Sequence, residues 1–236
     1  MVFLVMLLPG PPARAGDGGF AYDQRLGNQV PLAVQVRDEL GHTISLGQVL
    51  GHRPAILVLG AFHCSNLCGR VRGDLMDALM RLNGCRGYGL IFLSVDASET
   101  PADARAALQS DIARFGRPQE TADWHYLTGS EPAIAAVAVA VGFRWRLVSS
   151  PKRFLHPAGL VFLTRDGGVS SYLSGLNYEP DDIGAGIVRA ANDLSARILP
   201  ILLVGFGADR RTGRCVIRIL PIVSLKQRLG GAVHSG

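Results

Sequence analysis

The sequence has few charged and aromatic residues, and it lacks any long apolar run. Charged residues make up 18% and aromatic residues 7% of its 236 positions. No uninterrupted apolar stretch approaches the ~20 residues needed to cross a bilayer, which excludes a multi-span membrane protein. The 29 glycines follow no G-X-Y period and 48% of the residues are hydrophobic, so the chain is neither collagenous nor disordered. The composition indicates a compact globular protein.

The net charge of +5 is confined to the C-terminal end of the chain. From Pro200 onward six basic residues accompany one acidic residue, so the preceding part is electrically balanced. That part carries no basic face interleaved with aromatic residues, and no nucleic-acid partner is expected. Ile217, Ile219 and Ile222 interrupt the basic residues of the tail, which favours a solvated surface over a polybasic membrane-binding run.

The N-terminus has the pattern of an export leader. Residues 2–8 are apolar, prolines follow, and Ala13-Arg14-Ala15 has a small-x-small cleavage pattern. We predict a signal peptide or truncated leader over residues 1–15, a main domain over 20–198 and a basic β extension over 199–236. The expected location is the periplasm, and a tether to the inner membrane is left open. The four cysteines then lie in an oxidising compartment.

Alternating strand and helix patterns predict an α/β domain. Strands are predicted over 55–59, 90–95 and 124–127, hairpins over 32–36 with 43–46 and over 160–163 with 169–173, and helices over 67–82, 101–115, 132–141 and 180–198. This order predicts a thioredoxin-like, three-layer fold in which a mixed central sheet lies between helices. The fold is extended by an N-terminal β-hairpin and by C-terminal strands.

Cys64 and Cys68 lie where the strand over 55–59 leads into the next helix. Their spacing places both sulfurs on one face of the first helical turn, where the helix dipole is expected to lower the pKa of a thiol. Three intervening residues make the pair wider than a C-x-x-C motif, which favours a metal ion between the sulfurs over a compact disulfide. Two thiolates and one imidazole would suit a copper ion.

The third ligand is sought among six histidines. His156 precedes the strand over 160–163, and in a thioredoxin-like fold that loop lies against the start of the cysteine helix. His63 is the second candidate, although consecutive residues leaving a strand point to opposite sides, so it is expected to face away. A zinc site would need a fourth ligand, for which Cys85 and Cys215 are candidates, but both fit better as small core residues.

A series of short motifs resembles the Sco/SenC family in its order. The series comprises Phe62-His63-Cys64-Ser65-Asn66-Leu67-Cys68, Ser94-Val95-Asp96, Glu99-Thr100-Pro101, residues 124–129, Gly142-Phe143, His156 before residues 159–163, and Tyr172-Leu173-Ser174-Gly175. The match covers most of residues 23–198. The chain departs from the family at Ser65 and Gly69, where members commonly have proline, and at Ala97.

The resemblance implies an exported copper protein that helps to assemble the binuclear copper centre of cytochrome c oxidase. It implies that Cys64, Cys68 and His156 bind one copper ion, as Cu(I) and/or Cu(II). The implied partner is the copper-receiving subunit of the oxidase or another periplasmic thiol protein, and passing the ion on by ligand exchange requires no enzymatic turnover.

Two enzymatic functions are alternative hypotheses to copper binding. In a thiol-disulfide oxidoreductase, Cys64 would attack a substrate disulfide and Cys68 would resolve the mixed disulfide, so that these two residues would be catalytic. A peroxiredoxin-like peroxidase is disfavoured, because Phe62 stands where a threonine is usual two residues before the reactive thiol.

Overall fold

The computed structural model describes residues 22–64, 67–82, 85–149, 152–193, 204–208 and 215–219. The predicted leader and much of the predicted C-terminal extension lie outside these ranges, and the predicted domain boundaries stay predictions. Among the described residues, no helix has both the length and the apolar character that a bilayer span requires.

The helices and strands alternate through most of the domain. In chain order they are β1 (Gln35–Arg37), β2 (Thr43–Ser45), α1 (Leu46–Leu50), β3 (Ala55–Gly60), α2 (Leu67–Arg81), β4 (Gly89–Ser94), α3 (Pro101–Phe115), β5 (Trp124–Leu127), α4 (Glu131–Ala140), β6 (Arg146–Ser149), β7 (Lys152–Leu155), β8 (Gly159–Leu163), β9 (Val169–Ser174), α5 (Pro180–Ala191), β10 (Val204–Ala208) and β11 (Cys215–Ile219). A short 3₁₀ turn, Pro118–Glu120, follows α3.

The core of the fold is a mixed five-stranded sheet with the order β5-β4-β3-β8-β9. Strands β3, β4 and β5 are parallel, whereas β8 is antiparallel to both β3 and β9. Both β3 and β4 are buried along their whole length, as expected for strands covered on both faces. Helices α2, α3 and α5 cover one face and α1 and α4 the other. The predicted thioredoxin-like, three-layer fold is confirmed.

Several elements of the structure differ from the sequence prediction. The end of the predicted strand over 43–46 begins helix α1, because Ser45 and Gln48 form a capping box at its start. The β6-β7 hairpin, which precedes His156, was missed. Helix α5 ends at Ala191, and residues 194–198 of the predicted helix lie outside the described ranges.

Other predicted boundaries agree closely with the structure. Thr100 caps α3, and Asp103 completes a capping box with it. The N-terminal hairpin is formed by β1 and β2, although its strands are shorter than predicted. The C-terminal strand pair is formed by β10 and β11, which are antiparallel and lie beside α5.

Candidate metal centre

Of the two closely spaced cysteines, Cys64 lies in the turn that follows β3 and Cys68 lies in the first turn of α2. Both are free thiols; Cys64 is half-buried, whereas Cys68 is only 1% exposed. The last residue of β3, Gly60, has no side chain to occupy the space beside them. A Cβ atom there would lie 3.2 Å from the ring of Phe92, a tight contact, and 3.4 Å from Cβ of Cys68, so a larger residue would fill the space between that ring and the cysteine.

His156 is buried against the second cysteine of the pair. Its Nε2 atom lies 2.8 Å from Sγ of Cys68, although the two residues are 88 positions apart in the sequence. The expectation that the loop before β8 lies against the start of the cysteine helix therefore holds. Which residues bind a metal ion stays a prediction.

The hydrogen bond on the other side of the His156 ring determines which nitrogen carries a proton. Nδ1 lies 2.8 Å from the carbonyl oxygen of Pro157. A carbonyl only accepts, so Nδ1–H donates and the Nε2 of the neutral ring carries a lone pair. Burial lowers the pKa of His156, which favours the neutral form. The imidazole therefore presents a lone pair to Cys68 that could bind a metal ion, and Phe143 packs beside the ring.

The acidity of Cys68 is opposite to the sequence expectation. Burial raises the pKa of its thiol to about 12, and the adjacent Cys64 contributes in the same direction. The position at the helix N-terminus was expected to lower this pKa, but desolvation dominates because the sulfur is almost inaccessible to water. Cys68 is therefore a protonated thiol in the metal-free protein, and its S–H can donate to Nε2 of His156.

Cys68 and His156 form a pair of potential metal donors, and Cys64 is a third potential donor close by. Within the ranges that the structure describes, no three His, Cys, Asp or Glu side chains are already arranged to hold a metal ion. Cys64 is nevertheless near enough to Cys68 to be its hydrogen-bond partner. The donor types, two sulfurs and one imidazole, suit copper.

The remaining candidate ligands lie away from this pair or are otherwise engaged. His63 is directed toward the carboxylates of Glu99 and Asp103 at 3.2 Å and 3.4 Å, and its side chain is 70% exposed. Its expected outward orientation is therefore observed. Cys85 lies in the core, as expected, but it is disulfide-bonded rather than a free thiol, so it is not available as a zinc ligand. The side chain of Cys215 lies outside the described part.

Sequence reasoning missed the buried ionic network behind the cysteine helix. The Arg72 guanidinium, one turn after Cys68, donates to both carboxylate oxygens of Asp111 at 2.8 Å and 2.9 Å. The hydroxyl of Tyr126 donates to the same carboxylate. The available signal was the position of Arg72, which lies four residues after Cys68 on a helix that buries one face. The network joins α2, α3 and β5 next to the thiol pair.

The fold is similar to that of several solved structures. A protein of Aquifex aeolicus VF5 described as an electron transfer protein has a TM-score of 0.61 at 20% identity, covering 73% of this chain and 97% of that one. Arabidopsis thaliana ScoI with copper bound has a TM-score of 0.56 at 17% identity, covering 72% and 99%. BsSco, described as a member of the Sco family of cytochrome c oxidase assembly proteins, has a TM-score of 0.56 at 20% identity, covering 72% and 97%.

Similarity of structure, rather than similarity of sequence, relates this chain to known proteins. No protein-family profile matches the chain, and no curated protein sequence matches it. At these identities the structural matches establish the fold. The chain therefore has the thioredoxin-like fold of the Sco proteins over nearly the full length of each of the three structures, in agreement with the motifs identified in its sequence.

Proposed function

We propose that the protein is a copper carrier of the Sco/SenC type, which binds one copper ion as cargo through Cys64, Cys68 and His156. The observation that carries this proposal is the 2.8 Å contact between Sγ of Cys68 and Nε2 of His156. Once the Cys68 thiol loses its proton, its sulfur and Nε2 of His156 are two adjacent metal donors. Thiolates favour soft ions, and the likeness to a copper-bound fold supports copper over zinc.

The difference in burial between the two cysteines suggests an order of binding. Cys64 is the more accessible thiol, so an arriving Cu(I) ion meets its sulfur first. Each thiol releases its proton to the solvent as its sulfur binds the ion, first Cys64 and then Cys68, and Nε2 of His156 supplies the third donor. Release runs in reverse, because thiolates of an acceptor protein replace these donors one at a time. No electron transfer is required in either direction.

The proposed acceptor is the copper-receiving subunit of cytochrome c oxidase or another thiol protein of the same compartment. BsSco is described as a cytochrome c oxidase assembly protein, which supports this choice. The apolar start of the chain and its Ala13-Arg14-Ala15 pattern support export to the periplasm. Tethering to the inner membrane is part of the same proposal.

The test is the Cu(I) affinity of the reduced full-length protein, measured by competition with a chromophoric chelator. We expect one copper ion per chain. His156→Ala should weaken binding by more than about 100-fold, because loss of an outer partner of a ligand alone costs about 10- to 100-fold. His42→Ala is the matched control, since that imidazole is exposed in the β1-β2 turn. Equal affinities in wild type and His156→Ala would contradict the proposed ligand set.

A second candidate function is thiol-disulfide exchange, favoured by the unequal exposure of Cys64 and Cys68. An accessible first cysteine and a buried second one suit an attacking thiol and a resolving thiol. The two functions differ in their dependence on His156. Reduction of a disulfide substrate at the wild-type rate by His156→Ala, together with weak copper binding by the wild type, would favour the oxidoreductase.

A further inference from the structure

The carboxylate of Glu99 is buried beneath the turn that leads into Cys64. Only 3% of the Glu99 side chain is exposed. One oxygen accepts the backbone N–H of Phe62 at 2.9 Å, and the other accepts the backbone N–H of His63 at 2.8 Å. The hydroxyl of Ser94, at the end of β4, donates to the same carboxylate. The carboxylate therefore holds the two peptide N–H groups that directly precede Cys64.

Burial of this carboxylate is not explained by the helix that follows it. The N-terminus of α3 is capped by Thr100 and Asp103, without Glu99. Among the described residues the His63 imidazole is the one side chain within ion-pair distance of it, and its other hydrogen-bond partners are neutral donors. A buried charge is costly unless its hydrogen-bonding capacity is satisfied, and hydrogen bonds to an ionised acceptor are stronger than neutral ones. The bonds to the turn are therefore the main structural consequence of Glu99.

The same turn is also held from its other side. The carbonyl oxygen of Phe62 faces the Arg72 guanidinium at 3.5 Å. The Phe62 ring packs against Phe92 and Tyr126, with ring centroids 5.2 Å and 5.8 Å away. Both main-chain polar groups and the ring of Phe62 are thus held by side chains of other elements. Of these contacts, those to Glu99 are the shortest and lie nearest to Cys64.

We infer that Glu99 is a positioning residue for the thiol pair. By holding the N–H groups of Phe62 and His63, it sets the direction in which the chain leaves the turn and brings Cys64 to the same side as Cys68. The inference rests on the proposed function, where a backbone that already carries Cys64 beside Cys68 lowers the cost of bringing the donors together. It applies equally to disulfide formation, because both reactions require the two sulfurs to be close.

The test compares Glu99→Ala with a matched substitution of another buried carboxylate. Asp38 is the control, because it accepts the backbone N–H groups of Leu40 and His42 in the β1-β2 turn and touches neither cysteine. We expect Glu99→Ala to weaken Cu(I) binding about tenfold and Asp38→Ala to leave it unchanged. Glu99→Gln keeps one accepting oxygen, so its affinity should be intermediate.

The reduction potential of the Cys64–Cys68 disulfide is a second readout that needs no copper. Looser positioning lowers the effective concentration of one thiol toward the other. A tenfold loss in the equilibrium for disulfide formation corresponds to a potential about 30 mV less negative. Both measurements are made at a temperature where circular dichroism shows each variant to be folded.

The two readouts separate failure of this inference from failure of the proposed function. If Glu99→Ala lowers the melting temperature but leaves the affinity and the potential at wild-type values, Glu99 is only structural and the inference is wrong. If the wild type does not bind Cu(I), the proposed function is wrong. The reduction potential of the Cys64–Cys68 disulfide then tests by itself whether Glu99 positions the thiols. If Glu99→Ala does not fold, Glu99→Gln provides the same two measurements.

Discussion

The Nε2 atom of His156 lies 2.8 Å from the Sγ atom of Cys68 because of the order of strands in the sheet. Strand β8 pairs with β3 in the antiparallel sense, so the start of β8 lies beside the end of β3. His156 precedes β8, and Cys68 follows β3. The topology therefore assembles a donor pair from two distant parts of the chain.

The two thiols of the metal-free protein are expected to differ in reactivity. Limiting iodoacetamide at pH 8 should modify Cys64 before Cys68, because the thiolate is the nucleophile and the pKa of Cys68 is raised to about 12 by burial and by its neighbour Cys64. The rate at Cys68 should rise as the pH approaches that value. Peptide mass spectrometry after short reaction times measures both rates. The urea-unfolded chain is the control, and equal rates in the folded protein would contradict the assignment.

The same pKa shift predicts how stability depends on pH. The thiol of an unfolded cysteine has a pKa of about 8.5, whereas burial raises the pKa of the folded Cys68 thiol to about 12. The folded state therefore binds more protons between these values, and the contribution to the free energy of unfolding is lost as the pH rises through that window. Urea unfolding of wild type and Cys68→Ser at pH 7.5 and about pH 10 should show a larger decline in the wild type.

Close packing of α5 on the sheet depends on Gly186. A Cβ atom at this position would lie 2.4 Å from ring carbons of Phe162, so Gly186→Ala should lower the free energy of unfolding by roughly 1–3 kcal/mol through overpacking. Gly73→Ala in α2 is the matched control, because the nearest atoms belong to the Arg114 side chain at 3.6 Å. That substitution should stabilise the protein by up to about 1 kcal/mol. Denaturant unfolding of both variants checks the opposite signs.

The buried pair Arg72–Asp111 should matter far more than an exposed pair. Arg72→Met leaves the buried Asp111 carboxylate without its cation, and removing one partner of such a pair costs about 3–5 kcal/mol. Arg114→Met breaks the pair with Asp77, whose side chains are 51% and 43% exposed, so its cost should be about 1 kcal/mol or less. Chemical denaturation compares the two variants. Similar losses of unfolding free energy in the two variants would contradict the expected structural role of the buried pair.

Cys85 is expected to remain oxidised when Cys64 and Cys68 are reduced. Cys85 is disulfide-bonded, whereas those two are free thiols, so non-reducing peptide mapping should recover Cys85 in a disulfide-linked peptide. Cys85→Ser should cost about 2–5 kcal/mol of stability. Copper binding should be retained, because helix α2 separates Cys85 from Cys68. Recovery of Cys85 as a free thiol, or joined to Cys64, would contradict this prediction.

The regular elements near the site were predictable because their signals are local. The uninterrupted apolar runs of β3 and β4 indicate strands covered on both faces, and Thr100 followed by Pro101 marks the start of α3. Helix α1 and the β6-β7 hairpin were missed because each is short. Five residues show too little periodicity for a helix, and α1 depends on the capping box between Ser45 and Gln48.

The sequence by itself determined which residues offer metal donors: the spacing of Cys64 and Cys68 at the start of a predicted helix, and a histidine before a predicted strand. Only the tertiary structure decided how these donors behave. It buries Cys68 and so raises its pKa, directs Nε2 of His156 at the thiol through the hydrogen bond to Pro157, and places Glu99 beneath the preceding turn. Burial and hydrogen bonding between distant segments depend on how β3, β4 and β8 come together, which no local pattern encodes.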